Sequence, residues 1–133
     1  MPSLKKSDSM KLEHVALSVM DQEEVEYFYQ AVLGMKMIRK FQLNLTMASD
    51  IFGIAEGPEV YLMQKDQLQL ELFIARQKQE QSFAHICISL PRREETVKKA
   101  EAGGYTCYRL EREHSDLIFI FDRSGNSFEI KEA

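Results

Sequence analysis

The sequence lacks an excess of basic residues. Its 133 residues include 17 Lys and Arg against 21 Asp and Glu, which gives a formal net charge of −4. Proteins that bind nucleic acid or an anionic membrane surface through their overall field carry the opposite balance. We therefore expect neither nucleic acid nor a membrane as a partner.

Long apolar runs are also missing. No stretch approaches the roughly 20 residues needed to cross a bilayer, and the N-terminus lacks the apolar segment of a signal peptide. We therefore expect a cytoplasmic protein. Residues 1–9, MPSLKKSDS, are polar and aperiodic, which predicts a disordered leader before a single domain over 10–133. A hydrophobic content of 44% is enough for one compact core.

Cysteine is scarce as well. Cys87 and Cys107 are the only two, and neither stands in a CxxC or CxH motif that would indicate zinc or redox chemistry. Two buried, reduced thiols are the expectation, and a disulfide between neighbouring strands stays open as the alternative.

What the sequence does contain is an internal repeat. LEHVALSV at 12–19 is similar to FAHICISL at 83–90, and each is followed by a helix-forming stretch that ends in glycine. Each half then continues with three strand-like runs, so both halves predict the order β–α–β–β–β. We place the two modules at 10–76 and 82–133.

Four charged or imidazole side chains lie within these otherwise apolar runs, where desolvation is costly unless the groups are paired or bind a metal. Strand alternation places each of them on the face opposite to the aliphatic side chains, beside small residues that leave room for a cavity. The four are His14, Glu71, His85 and Glu129. Because the repeat makes them two equivalent His/Glu pairs, we predict one metal site with four ligands.

Other interpretations of these residues stay open. Taken singly, a His at the start of a strand is more often hydrogen bonded than metal-bound, and a Glu on a polar strand face is more often solvated. A structural or regulatory domain in which the four side chains pair with one another is the alternative. Thermal stabilisation by divalent ions distinguishes a metal protein from such a domain.

The first module is about 13 residues longer than the second, and the excess falls at 43–57. We interpret this segment as a loop with a short helical turn around 49–52. Its apolar residues either cap a sheet edge or line a pocket, and capping is the preferred interpretation. These residues are Met47, Ile51, Phe52 and Ile54.

Three remaining features have structural explanations. His114 lies in a polar stretch, EREHSD, and is expected on the surface. Tyr27, Phe28 and Tyr29 are predicted to pack within an amphipathic helix. The acidic run at 21–26 suits the N-terminus of that helix through the helix dipole.

Residues 11–132 contain the runs HVALSV, FYQAVLGMKMI, LELF, AHICIS and DRSGNSFEIKE. On these runs the chain resembles the vicinal oxygen chelate superfamily, which contains glyoxalase I, methylmalonyl-CoA epimerase, extradiol dioxygenases and fosfomycin or bleomycin resistance proteins. The resemblance implies an α+β fold in which two βαβββ modules form a U-shaped, mostly antiparallel sheet around a metal cavity. The family's ligands come from the first, fourth, fifth and eighth strands. These positions match His14, Glu71, His85 and Glu129.

The same resemblance implies a class of function. The His/Glu/His/Glu set is similar to that of glyoxalase I, whereas extradiol dioxygenases use two His and one carboxylate. Methylmalonyl-CoA epimerases usually have glutamine where this chain has Glu71. Glyoxalase I tends to carry arginine and asparagine at the positions of Ser18 and Ala75, so the resemblance does not extend to glutathione. It implies a metal-dependent lyase or isomerase of the glyoxalase type.

The expected substrate is a small molecule that chelates the ion through two adjacent oxygens and reacts by way of an enediolate. Glu129, before Glu71, is the expected catalytic base. The expected cofactor is a divalent ion, one of Ni, Zn, Mn, Fe or Co. A homodimer is implied, with each site built in one chain or across two. A metal-dependent dioxygenase and a non-catalytic protein that sequesters an antibiotic are the alternatives.

Overall fold

The structure is a computed structural model that describes residues 9–133. Except for Ser9, the predicted leader over 1–9 lies outside the described residues. Within the described part of the chain, no helix is long and apolar enough to cross a membrane.

The first module contains four strands and two helices. In chain order these are β1 (Val15–Val19), α1 (Gln22–Glu24) with a π-helical continuation (Val25–Gln30), β2 (Lys36–Gln42), α2 (Leu45–Phe52), β3 (Glu59–Lys65) and β4 (Leu68–Ile74). The second module contains β5 (Ile86–Leu90), α3 (Arg93–Ala102), β6 (Cys107–Leu110), β7 (Leu117–Phe121) and β8 (Ser127–Glu132). The predicted β–α–β–β–β order is confirmed in both halves, with α2 as an addition to the first.

Each module forms its own four-stranded sheet, in the strand orders β1-β4-β3-β2 and β5-β8-β7-β6. The pairs β1–β4 and β5–β8 are parallel, and the other pairs are antiparallel. This confirms the predicted α+β class, the two equivalent modules and the mostly antiparallel pairing. Among residues 9–133 the strands form two sheets rather than one continuous sheet.

One hydrophobic core joins the modules. The aliphatic faces of both sheets contribute to it through Val15, Leu17, Val19, Leu68, Leu70, Leu72, Ile74, Ile86, Ile88, Leu90, Phe128 and Ile130. The π-helical segment adds Phe28, whose ring lies 4.9 Å from that of Tyr105 and 5.7 Å from that of Phe128. Because both aliphatic faces turn towards this core, the opposite face of each sheet points away from it.

A buried polar junction also connects the modules. The Tyr29 hydroxyl donates a hydrogen bond of 2.6 Å to Asp122 Oδ2. Asn126 Nδ2 donates to the Ser18 carbonyl at 2.8 Å, and the Glu24 carboxylate accepts from the backbone N–H of Arg123. The helix of the first module is thereby attached to the turn between β7 and β8.

The inserted segment is more regular than the sequence analysis predicts. Helix α2 covers eight residues, whereas the predicted turn covers four. The Asn44 side chain accepts from the backbone N–H groups of Thr46 and Met47, and Gly53 ends the helix in a left-handed conformation with φ of 68°. These two caps are local signals that define a complete helix.

The cysteine prediction is wrong in part. Both thiols are free, but Cys87 is exposed and Cys107 is half-buried. Cys87 pairs in register with Glu129, so it belongs to the polar face of its sheet rather than to the core. The expected surface position of His114 is confirmed, because it lies exposed in the loop between β6 and β7.

Candidate functional site

The first module holds one predicted His/Glu pair, which we call the first pair. His14 directly precedes β1, and Glu71 lies in β4 opposite Ala16. His14 Nε2 lies 3.1 Å from Glu71 Oε1, and the two side chains are 44% and 18% exposed. The parallel β1–β4 pairing therefore brings together residues that are far apart in sequence.

The second module repeats this arrangement in the second pair. His85 directly precedes β5, and Glu129 lies in the neighbouring strand β8. His85 Nε2 lies 3.5 Å from Glu129 Oε1, and the side chains are 40% and 18% exposed. The two pairs match in strand position, in the atoms that face each other and in exposure, as the repeat predicts.

The spacing within each pair fits two ligands of one metal ion. Atoms that bind an ion at right angles, each about 2.1 Å from it, are about 3 Å apart. The nitrogen-to-oxygen distances of 3.1 and 3.5 Å are close to this value. Imidazole nitrogen and carboxylate oxygen are both ordinary ligands of divalent transition metals.

The ring orientation of His85 also suits a cation. Its Nδ1 lies 2.8 Å from the Phe83 carbonyl oxygen, which accepts a hydrogen bond when Nδ1 is protonated. In the neutral ring, Nε2 then presents a lone pair to the carboxylate of Glu129. In that tautomer Nε2 carries the lone pair with which an imidazole binds a metal ion, and it faces the Glu129 carboxylate at 3.5 Å.

The structure brings the four predicted ligands together two by two. Among residues 9–133, no group of three or more His, Cys, Asp or Glu side chains is placed to hold an ion. Each pair lies on the sheet face that points away from the shared core. The use of all four as ligands of one ion stays a prediction.

A cavity of about 630 Å³ lies between the polar face of the first sheet and the inserted segment. Its walls include Ala16, Ser18, Leu43, Ala48, Phe52, Ile54 and Phe73. Of the four apolar residues of the insertion, Phe52 and Ile54 line the cavity. Met47 and Ile51 are exposed and are not among its walls. The preferred interpretation, in which the insertion caps a sheet edge, missed this cavity.

The polar face of the second sheet differs. The Phe119 ring lies 5.4 Å from the His85 ring and 6.2 Å from the nearly parallel ring of Phe121. Phe119 is also the register partner of Glu129. Aromatic side chains therefore adjoin the second pair, and His85 also lines a smaller cavity of about 310 Å³.

Comparison with known proteins places the chain in a broad group. The model of the Glyoxalase/Bleomycin resistance protein/Dioxygenase superfamily matches residues 11–130. A search of curated proteins found no significant match.

Solved structures share the fold across nearly the whole chain. The fosfomycin resistance protein FosX of Listeria monocytogenes is 16% identical, with a TM-score of 0.72 over 94% of both chains. A glyoxalase family protein of Enterococcus faecalis is 17% identical, with a TM-score of 0.68 over 92% of this chain and 97% of its own. A mutant of the Listeria protein complexed with Mn(II) and 1S,2S-dihydroxypropylphosphonic acid is 17% identical, with a TM-score of 0.69 over 91% and 88%.

Proposed function

The chain belongs to the Glyoxalase/Bleomycin resistance protein/Dioxygenase superfamily, and we propose that it is a metal-dependent lyase or isomerase of the glyoxalase type. Its substrate is a small molecule with two adjacent oxygens, and the reaction proceeds by way of an enediolate. The observation that carries the proposal is the duplicated His/Glu pair, with nitrogen-to-oxygen distances of 3.1 and 3.5 Å.

The proposed ligands are His14, Glu71, His85 and Glu129. Two neutral imidazoles and two carboxylates balance the charge of a divalent ion and leave two of six octahedral positions for substrate oxygens. Ni, Zn, Mn, Fe and Co all accept this donor set. When bound, such an ion supplies Lewis-acid stabilisation of negative charge on the substrate oxygens.

Glu129 is the proposed base. Its Oε1 lies 3.5 Å from His85 Nε2, whereas that of Glu71 lies 3.1 Å from His14 Nε2, and the longer distance supports Glu129 as the carboxylate that leaves the ion. A Glu129 Oε atom accepts the proton from the substrate carbon next to a carbonyl and returns it to the neighbouring carbon. Both carboxylates are 18% exposed, which limits competition from water.

We propose that each site is completed by two chains. No group of three or more potential ligands lies together within residues 9–133 of one chain, and each pair faces away from the shared core. A symmetric dimer that places the first pair of one chain against the second pair of the other contains two complete sites.

The Listeria structure supports the proposed substrate class. The compound bound there together with Mn(II) carries hydroxyl groups on two adjacent carbons, as its name states. A ligand of this kind offers two neighbouring oxygens to an ion, which is the property that the proposal requires.

A pair of variants tests both the metal site and its division between chains. Wild type, His14→Ala and His85→Ala are purified without chelator, and their metal content is measured by mass spectrometry. Wild type is expected to hold one ion per chain, and each variant homodimer to lose it. A metal-free wild type that binds no added divalent ion would overturn the proposal.

Mixed dimers of the two variants, isolated through two different affinity tags, address the division between chains. If the pairs meet across the dimer, one site contains both substitutions and the other contains none. The mixed dimer is then expected to bind one ion per two chains. A mixed dimer that stays metal-free would show that each site is built within one chain.

Non-catalytic binding of a small molecule is the second candidate function, favoured by the apolar cavity of about 630 Å³. Exchange of deuterium from solvent into a hydroxy-ketone separates the two functions. Exchange that requires the ion and is lost in Glu129→Gln supports the enzyme. A metal-loaded protein that binds the ketone without exchange supports sequestration.

A further inference from the structure

We infer that the substrate carries an apolar alkyl or aryl group that binds in the cavity beneath α2, while its two-oxygen head lies at the first pair. The inference rests on the proposed function and adds the chemical class of the substrate's body. Three observations carry it: the composition of the cavity, the capped and packed helix that forms one wall, and the position of the cavity beside Glu71.

The cavity has the size and composition of a small-molecule site. Its volume of about 630 Å³ lies within the range of roughly 300–1,000 Å³ that is usual for ligand pockets. Aliphatic and aromatic side chains form most of its walls. The charged and amide side chains among the lining residues are Glu56, Arg76 and Gln77.

The wall of the cavity is preformed. Helix α2 is capped at both ends, and its Ala48 is 1% exposed within a small core that includes Leu43 and Val60. The Phe52 ring packs edge-on against the Phe73 ring at 5.7 Å. A binding surface that is already ordered does not have to be fixed when the ligand binds, which favours affinity.

Two residues of this wall remain exposed to water. Phe52 and Ile54 line the cavity but are 51% and 54% exposed. Covering apolar surface contributes binding free energy in proportion to the area removed from water. An apolar ligand in the cavity therefore gains binding free energy from these side chains, and a fully polar ligand does not.

The cavity begins beside the first pair. Ala16, a lining residue, is the register partner of Glu71, and Phe73 follows Glu71 by two positions on the same face of β4. Two strand residues span about 7 Å. A substrate head at the first pair is thus separated from the apolar walls by only a few bonds.

A series of alkyl hydroxamates tests this arrangement, because each has two adjacent oxygens that chelate an ion and a tail of chosen length. Affinities of acetohydroxamate to hexanohydroxamate for the Mn(II)-loaded protein are measured by titration calorimetry. Each added methylene is expected to raise affinity about fourfold, and the four methylenes of the whole series about 250-fold.

Matched variants locate the tail. Ala55→Phe adds a ring to the exposed lining of the cavity, whereas Ser49→Phe adds the same ring to an exposed position of α2 outside it. In Ala55→Phe, each added methylene is expected to raise hydroxamate affinity by less than twofold, while the affinity for acetohydroxamate stays at the wild-type value. Ser49→Phe is expected to keep the wild-type gain.

The possible results separate this inference from the proposed function. Tight binding of acetohydroxamate to the metal-loaded protein without a gain from longer tails overturns the apolar substrate and leaves the metal site intact. An equal gain in affinity per methylene in wild type and in Ala55→Phe also overturns the assignment of the tail to this cavity. Chain-length dependence in protein that binds no metal supports the apolar cavity and overturns the proposed function.

Discussion

The two modules place the same His/Glu pair in different surroundings. Beside the first pair, the neighbouring strands present Ala16 and Leu62, and the inserted helix forms the far wall of a cavity. Beside the second pair, the corresponding positions hold Cys87 and Phe119. Under the proposed function, both modules bind the ion, and the first offers the larger space for a substrate, a cavity of about 630 Å³ against one of about 310 Å³ lined by His85.

The modules also differ in how they use their helices. The helix of the first module buries Phe28 and Tyr29 completely and reaches the second module through both rings. Helix α3 contributes only the smaller apolar residues Val97 and Ala100 to the core. The repeat is therefore close to symmetric at the candidate ligands and asymmetric in the core that holds the modules together.

The largest expected effect concerns the two carboxylates, which are equivalent in position but not in proposed role. Glu129→Gln is expected to lower the rate of solvent-deuterium exchange into a hydroxy-ketone by roughly 10²–10⁴-fold, the usual contribution of a general base. Glu71→Gln is expected to weaken metal binding but to retain exchange at saturating Mn(II). Exchange is followed by NMR at measured metal occupancy. Equal losses in both variants would mean that the pairs share one role.

The next comparison removes a core side chain from the same register position of each sheet. Leu70 and Phe128 occupy equivalent places in β4 and β8, and both are fully buried. Phe128→Ala is expected to lower the unfolding free energy by about 3–5 kcal/mol. Leu70→Ala is expected to lower it by a smaller amount, within the range of about 2–5 kcal/mol. Loss of the Phe128 side chain is expected to lower stability more because its ring also contacts Phe28 and Tyr29. Urea unfolding at one fixed protein concentration measures both, and a larger cost for Leu70→Ala would contradict the asymmetry of the core.

A smaller effect is expected at the polar junction. Tyr29→Phe removes the 2.6 Å hydrogen bond to Asp122, a carboxylate that is 5% exposed. It leaves that carboxylate its donors from Ser124 and Asn126, so we expect a cost of about 1–2 kcal/mol. Tyr27→Phe in the same helix is the matched control, because Tyr27 is 51% exposed. Similar unfolding free energies for the two variants would show that the junction does not stabilise the fold.

Much of this architecture could be predicted because strand alternation is a local property. The alternation in VALSV predicts that Val15, Leu17 and Val19 share one face of a strand, and in the structure Val19 lies in the core with Val15 and Leu17 packed against it. The same period placed His14 and Glu71 opposite the aliphatic faces, where the structure pairs them. Spacing and repeat therefore predict the order of the elements along the chain and the two equivalent His/Glu pairs, but not the two separate sheets or the strand order within each.

The remainder depends on contacts between distant residues. The packing of Phe28 against Phe128 turns both aliphatic faces to one core, and no local pattern contains that contact. The acidic run that opens the first helix shows the same limit. Its predicted role at the helix N-terminus holds for Asp21, which caps the helix through the backbone N–H of Glu24. Glu24 itself is buried against the second module, which the run did not indicate.

This buried carboxylate gives the smallest expected effect, a change in pH dependence. Burial raises the pKa of Glu24 above its usual value of 4.5, and the nearby charge of Asp122 adds to the rise in pKa. The folded state therefore binds more protons than the unfolded state just above pH 4.5, so the contribution of Glu24 to stability falls as pH rises through that window.

Glu24→Gln keeps an oxygen that accepts from the backbone N–H of Arg123 but removes the buried charge. We expect it to raise the unfolding free energy at pH 7 by less than about 1 kcal/mol and to flatten the fall between mildly acidic and neutral pH. Part of the fall in unfolding free energy with rising pH persists, because burial also raises the pKa of Asp122. Glu23→Gln, at an exposed position of the same helix, should leave the profile unchanged. Thermal unfolding across this pH range measures the stability of all three proteins. If the stability of Glu24→Gln changes with pH in parallel with that of wild type, burial of the Glu24 charge does not destabilise the fold.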